Sequence, residues 1–148
     1  MQQLRRTIQK IVFESVTQLS LQKDLNDFLK SEFYDGVSYK DLTTSCDLSK
    51  GNCDDVSEDL IDFLKQRGYQ NINLVLMRGP KFNMDDAHSE WKQHWNPETN
   101  YHAVVQIGNK YIDLTASQFS PKFSGILILS KEQLEKMWNS IDTLPQSQ

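Results

Sequence analysis

Apolar residues recur at three- and four-residue steps through Leu4, Ile8, Ile11, Val12, Val16 and Leu19, the stripe of an amphipathic helix. Leu25, Phe28 and Leu29 continue it toward Phe33 in a segment that Ser20 is placed to cap, so the region reads as two helices or one bent one. Turn residues begin at Tyr34-Asp35-Gly36 and open a polar loop that runs to Asn52. From Cys53 to about Arg67 the positions Val56, Leu60, Phe63 and Leu64 mark the buried face of a helix, which Gly68 is placed to end. Ile72 to Met77 has the length and β-branched content of a strand, with Gly79 and Pro80 as breakers after it. A polar excursion from Pro80 to Asn100 carries His88, Trp91, His94 and Trp95. Beyond a hairpin over 101 to 115, Thr115 to Gly125 is irregular and Ile126 to Leu129 is a short strand. Ser130 with Gln133 then makes a capping box for a last helix through Leu134, Met137, Trp138 and Ile141, and the tail from Pro145 frays.

The hairpin fixes a register. Gly108-Asn109 between two alternating runs is a two-residue turn, which pairs Ile107 with Lys110, Val105 with Ile112, Val104 with Asp113 and His102 with Thr115. Ala103, Val105, Ile107, Ile112 and Leu114 then share an apolar face, while His102, Gln106, Tyr111, Asp113 and Thr115 share the other with Val104. His102 and Asp113 become diagonal neighbours with Cα atoms roughly 7–8 Å apart, within reach of an imidazole–carboxylate contact.

At 148 residues the chain is read as one domain, 1–148, large enough to bury a core without disulfides or a metal. The 16 Lys+Arg against 20 Asp+Glu, with no basic run, give no electrostatic footprint for nucleic acid or an anionic membrane. No apolar run approaches a membrane span and no signal-peptide core opens the chain, so a cytoplasmic protein is expected, or one delivered to a target cell without a cleaved leader. Two cysteines in such a chain point to a reducing compartment, although a Cys46–Cys53 bridge remains an alternative.

Cys53 falls where a helix begins, facing unpaired N–H groups and the positive end of the helix dipole, which favour a thiolate. A lone cysteine is more often a buried apolar residue, and what changes the balance is the hairpin's base and carboxylate. The trio suits nucleophilic acyl transfer. His102 takes the thiol proton, Asp113 orients the ring and stabilises the imidazolium, and Cys53 attacks a carbonyl carbon to give a thioester. The backbone N–H of Cys53 and the side chain of Asn52 are the available oxyanion donors. Asp54 and Asp55 suit the helix dipole yet oppose the thiolate, which leaves most of the activation to His102.

The stretches G-N-C-D-D-V-S-x-x-L and H-A-V-V-x-I-G-x-x-Y-I-D-L-T, in the order Cys, His, Asp, resemble the papain-like superfamily in its minimal form over about residues 45 to 120. The likeness is to transglutaminase-like and arylamine-acetyltransferase-like domains and to small papain-fold toxins and glutamine-deamidase effectors of bacteria. It implies an α+β fold, with N-terminal helices and a nucleophile helix packed on a mostly antiparallel sheet. It also implies Cys53 as nucleophile, His102 as base and Asp113 as orienting residue, acting without a cofactor on amides of a protein substrate. Glutamine deamidation or transglutaminase-like transfer is preferred, with papain-like proteolysis as the alternative. Ala103 stands where many transglutaminases have Trp after the His.

Two other classes remain open. Cys46, Cys53, His88 and His94 form a candidate zinc set of irregular spacing, without a paired C-x-x-C. A catalytically inactive papain fold would serve instead as a binding or immunity module, with Trp91 and Trp95 in its contact patch.

Overall fold

The structure, a computed structural model, describes residues 20–82, 95–96 and 98–145. It is α+β. Helix α1 covers residues 20–29, and strands β1 (Glu32–Tyr34) and β2 (Val37–Ser38) form a small hairpin. Helices α2 (Tyr39–Thr44), α3 (Cys46–Ser49) and α4 (Cys53–Gln66) follow. Then come β3 (Ile72–Pro80), β4 (His102–Ile107), β5 (Lys110–Asp113), β6 (Leu127–Leu129), α5 (Lys131–Met137) and β7 (Trp138–Pro145). The main sheet has the order β6-β5-β4-β3-β7, and every neighbouring pair is antiparallel. No helix among the described residues is long and apolar enough to cross a membrane.

The sheet divides two apolar clusters. On one face Ala103, Val105, Ile112 and Leu114 meet Leu25, Phe28, Leu42, Val56, Leu60, Ile61 and Leu64 from the helices. On the other, Val75, Met77, Val104 and Tyr111 meet Phe119, Leu134 and Trp138. The hairpin face expected to be polar is therefore a second interior: His102, Val104, Tyr111, Asp113 and Thr115 are all buried on it. Alternation along β4 reports two differently lined interiors rather than a core and a solvent face.

The expected pairing holds in β4 and β5, where Val105 faces Ile112 and Ile107 faces Lys110, with a positive φ at Gly108 but none at Asn109. Gly68 ends α4 in the left-handed region, and the N–H groups of Gly68 and Tyr69 return to Lys65 and Leu64.

Several elements differ from the sequence reading. Ser20 is itself helical and the first described residue of α1, and the part of that pattern before it lies outside the described residues, as do His88, Trp91 and His94. The polar loop after Tyr34 folds into a hairpin turned at Asp35-Gly36 and two short helices. Ser38 with Asp41 makes a capping box for the first helix, and Ser45 caps the second. Strand β3 continues through its supposed breakers to Pro80. Gly79 has φ +68°, and a Cβ there would lie 2.9 Å from Asn139 Nδ2.

The last helix stops at Met137. Its capping box forms as read, but Trp138 to Pro145 pairs along β3 instead of continuing the helix. The apolar set Leu134, Met137, Trp138 and Ile141 fits a helical period. The free edge of β3 offers backbone partners that override it.

Both layers are expected to carry stability. Leu60 and Leu134 are at most 1 % exposed, on opposite faces of the sheet. Either change to Ala should cost about 2–5 kcal/mol in urea unfolding, with an unchanged denaturant slope. A cost below about 1 kcal/mol at either position would show that the layer around it is not packed as described.

Candidate functional site

Two of the three candidate residues, His102 and Asp113, meet at one end of the sheet, and Cys53 acts on the His102 ring. Gly51, at φ +77°, turns the chain into Asn52, and Cys53 is the first residue of α4. Its neighbours are first-turn backbone donors without intrahelical acceptors. Val56 and Leu60 bury the helix, and Ser57 Oγ donates to the Ala103 carbonyl at 3.2 Å, tying α4 to the strand residue after His102. His102 opens β4 and Asp113 closes β5, so the hairpin register presents both on its second face.

His102 Nε2 and Asp113 Oδ2 are 2.7 Å apart, with both residues buried. The other carboxylate oxygen accepts from the Thr115 backbone N–H at 3.0 Å. Asp113 is thus oriented from both sides. The imidazole lies against the Trp138 ring at 5.6 Å, nearly parallel, and meets Phe119 edge-on at 4.8 Å. Trp95 and Phe82 close the aromatic group behind these two rings.

Cys53, at the start of α4, is the thiol that acts on this ring. Since the carboxylate occupies Nε2, Nδ1 is the nitrogen left for the proton transfers of a base. Burial alone disfavours the charged ring. The Asp113 carboxylate, by its charge and hydrogen bond, and then Cys53 reverse that and push the imidazole up to about 10. The surroundings therefore favour the protonated ring more than water does.

Asp54 sits beside the thiol, but its carboxylate accepts a 2.6 Å hydrogen bond from the Tyr101 hydroxyl. That bond, followed by partial burial and the nearby negative groups, pushes the Tyr101 phenol up to about 12. The residues following Cys53 and preceding His102 thereby clamp the helix start to the strand start. The carboxylate that opposed the thiolate in the sequence is drawn toward a donor.

The remaining expectations fall in different places. Asn52 Nδ2 donates to the Leu48 carbonyl at 2.7 Å, and its side chain does not cap α4. Both cysteines are free. Cys46 Sγ donates to the Gln118 carbonyl at 3.6 Å, and burial, then Asp47, push its thiol up, so this second cysteine is a structural donor. No metal-holding group of His, Cys, Asp and Glu occurs among the described residues, and His88 and His94 lie outside them.

Gln118 was missed. It is buried in a short helical turn, Ala116–Gln118, with Nε2 2.9 Å from the Thr115 carbonyl and 3.4 Å from His102 Nδ1. Its only signal in the sequence is a polar residue in an irregular stretch just after a strand that ends in a candidate site residue. Comparison with protein-family models, curated proteins and solved structures found no match to this chain.

A pH dependence follows. The imidazole's folded value lies above the ordinary 6.5, so the folded chain binds this proton more tightly than the unfolded one. The resulting stabilisation is complete below about pH 6.5 and is lost as pH rises toward 10. Unfolding free energy measured over that interval should fall, and His102→Gln should remove part of the slope. An identical slope in the variant would contradict the assignment.

Proposed function

We propose that this chain is a cysteine-dependent acyl-transfer enzyme of the papain-like, transglutaminase-like kind that deamidates glutamine side chains of a protein substrate. One observation supports the reading: a buried imidazole from β4 is hydrogen-bonded to a carboxylate from β5, and the thiol at the start of α4 acts on the same ring. An inert binding module has no use for it. Burying a carboxylate and an imidazole is costly unless they are paired, and apolar residues would pack the same space as well or better.

In this mechanism the Cys53 thiolate, formed as its proton passes to His102 Nδ1, attacks the side-chain carbonyl carbon. The tetrahedral oxyanion collapses, the C–N bond breaks, and ammonia leaves with the proton from His102. Water then gives a proton back to Nδ1 and adds to the thioester. The C–S bond breaks, and glutamate and the free thiol result. Asp113 keeps the ring in the Nε2–H tautomer and steadies its charged form.

The preference for a side-chain amide over a peptide bond rests on the resemblance to glutamine-deamidase effectors, and Cys53 and His102 are both buried.

The test is to incubate candidate partner proteins and an N-blocked glutaminyl-glycine dipeptide with the chain and with Cys53→Ala, then measure ammonia and product mass. The expected result is ammonia release with a gain of about one dalton per modified glutamine, abolished in the variant. Cys53-dependent fragments would replace deamidation by proteolysis. No Cys53-dependent change would overturn the enzymatic reading.

A further inference from the structure

Gln118 faces the imidazole nitrogen that Asp113 leaves free, and two contacts set its orientation. A glutamine amide has one accepting oxygen and one donating NH2 group. Nε2 donates to the Thr115 carbonyl at 2.9 Å, an acceptor that the amide oxygen could not face. The NH2 end is therefore also the end presented to His102 Nδ1 at 3.4 Å. The turn behind it is tied down by buried groups. Ser49 and Ser117 hydroxyls are 3.0 Å apart, Ser117 donates to the Leu42 carbonyl, and Cys46 donates to the Gln118 carbonyl. A donor fixed against Nδ1 is satisfied only while that nitrogen keeps its lone pair.

We propose that Gln118 is a positioning residue that holds His102 Nδ1 as an acceptor and so resists formation of the imidazolium that Asp113 promotes. The inference rests on the acyl-transfer reading and deepens it, because a base must take up and return a proton within each cycle. A ring held permanently charged by Asp113 could accept none from the thiol or from water. The titratable groups facing the ring are Asp113 from β5 and Cys53 from α4; Phe119 and Trp138, the aromatic rings against it, carry no charge. Asp113 and Gln118 pull on opposite nitrogens of one ring, and their balance sets when Nδ1 is free.

The test is an NMR titration of the His102 ring in the full chain. A Cys53→Ser background removes the thiolate, and His102→Gln assigns the signal. Gln118→Met should raise the ring's midpoint by up to about one pH unit, the three- to tenfold change in proton affinity that one lost hydrogen bond brings. Gln118→Glu should raise it further, since a carboxylate accepts where the amide donated. In the chain with Gln118 intact, the side-chain N–H signal should move with the His102 titration. A midpoint unchanged or lowered in Gln118→Met, or an N–H signal indifferent to the ring's charge, would overturn the proposal. A merely structural glutamine would lower stability without this ordered pair of shifts. Failure of the acyl-transfer reading appears elsewhere, as absence of Cys53-dependent ammonia release, and leaves the ring titration as informative as before.

Discussion

A carboxylate and an imidazole held 2.7 Å apart inside the protein constrain nearly everything around them. Each alone would be an uncompensated buried group, and removing one partner of such a pair costs on the order of 3–5 kcal/mol. The pair therefore has to be assembled as the hairpin forms. Its register leaves no freedom, since a one-residue slip of β4 against β5 would send His102 and Asp113 to opposite faces. The aromatic wall of Phe119 and Trp138 then keeps water from the ring, which strengthens the attraction to Asp113 as it raises the cost of charge.

That constraint separates the two cysteines. Cys46 opens a four-residue helix and meets a backbone carbonyl, which engages a thiol and offers a thiolate nothing. Cys53 opens a helix of 14 residues and meets an imidazole pushed toward its charged form. The same residue type is structural in one place and suited to chemistry in the other, and the difference lies in what each sulfur faces. The Tyr101–Asp54 bond adds to it by occupying the carboxylate of the residue that follows Cys53.

The α4 start, the hairpin and the meeting of His102 with Asp113 were legible because each is local. A Gly-Asn turn sets the register, the register sets the faces, and a 3.6-residue period sets the buried side of α4. What could not be read depends on distant chain. The second face of the hairpin looked polar because His102, Gln106, Tyr111, Asp113 and Thr115 are polar residues. Phe119, Leu134 and Trp138 bury much of it from segments whose destination no local pattern encodes. The strand β7 was hidden for the same reason, since its apolar positions also fit a helix and only the open edge of β3 decides between them. Gln118 sits in a turn without periodicity, and its importance arises from a contact 16 residues back in the chain.

If sulfur, imidazole and carboxylate work together, the Cys53 sulfur reacts with an electrophile faster than an ordinary thiol does. Its rate of alkylation by iodoacetamide at pH 6, followed by mass spectrometry of the Cys53 peptide, reads that directly, with Cys46 in the same chain as an internal reference. The account predicts that Cys53 reacts at least about tenfold faster than Cys46 and about tenfold faster than Cys53 in a folded His102→Ala variant, after allowing for the lower nucleophilicity of a stabilised thiolate. Equal rates at the two cysteines, or a Cys53 rate unaffected by loss of His102, would contradict it.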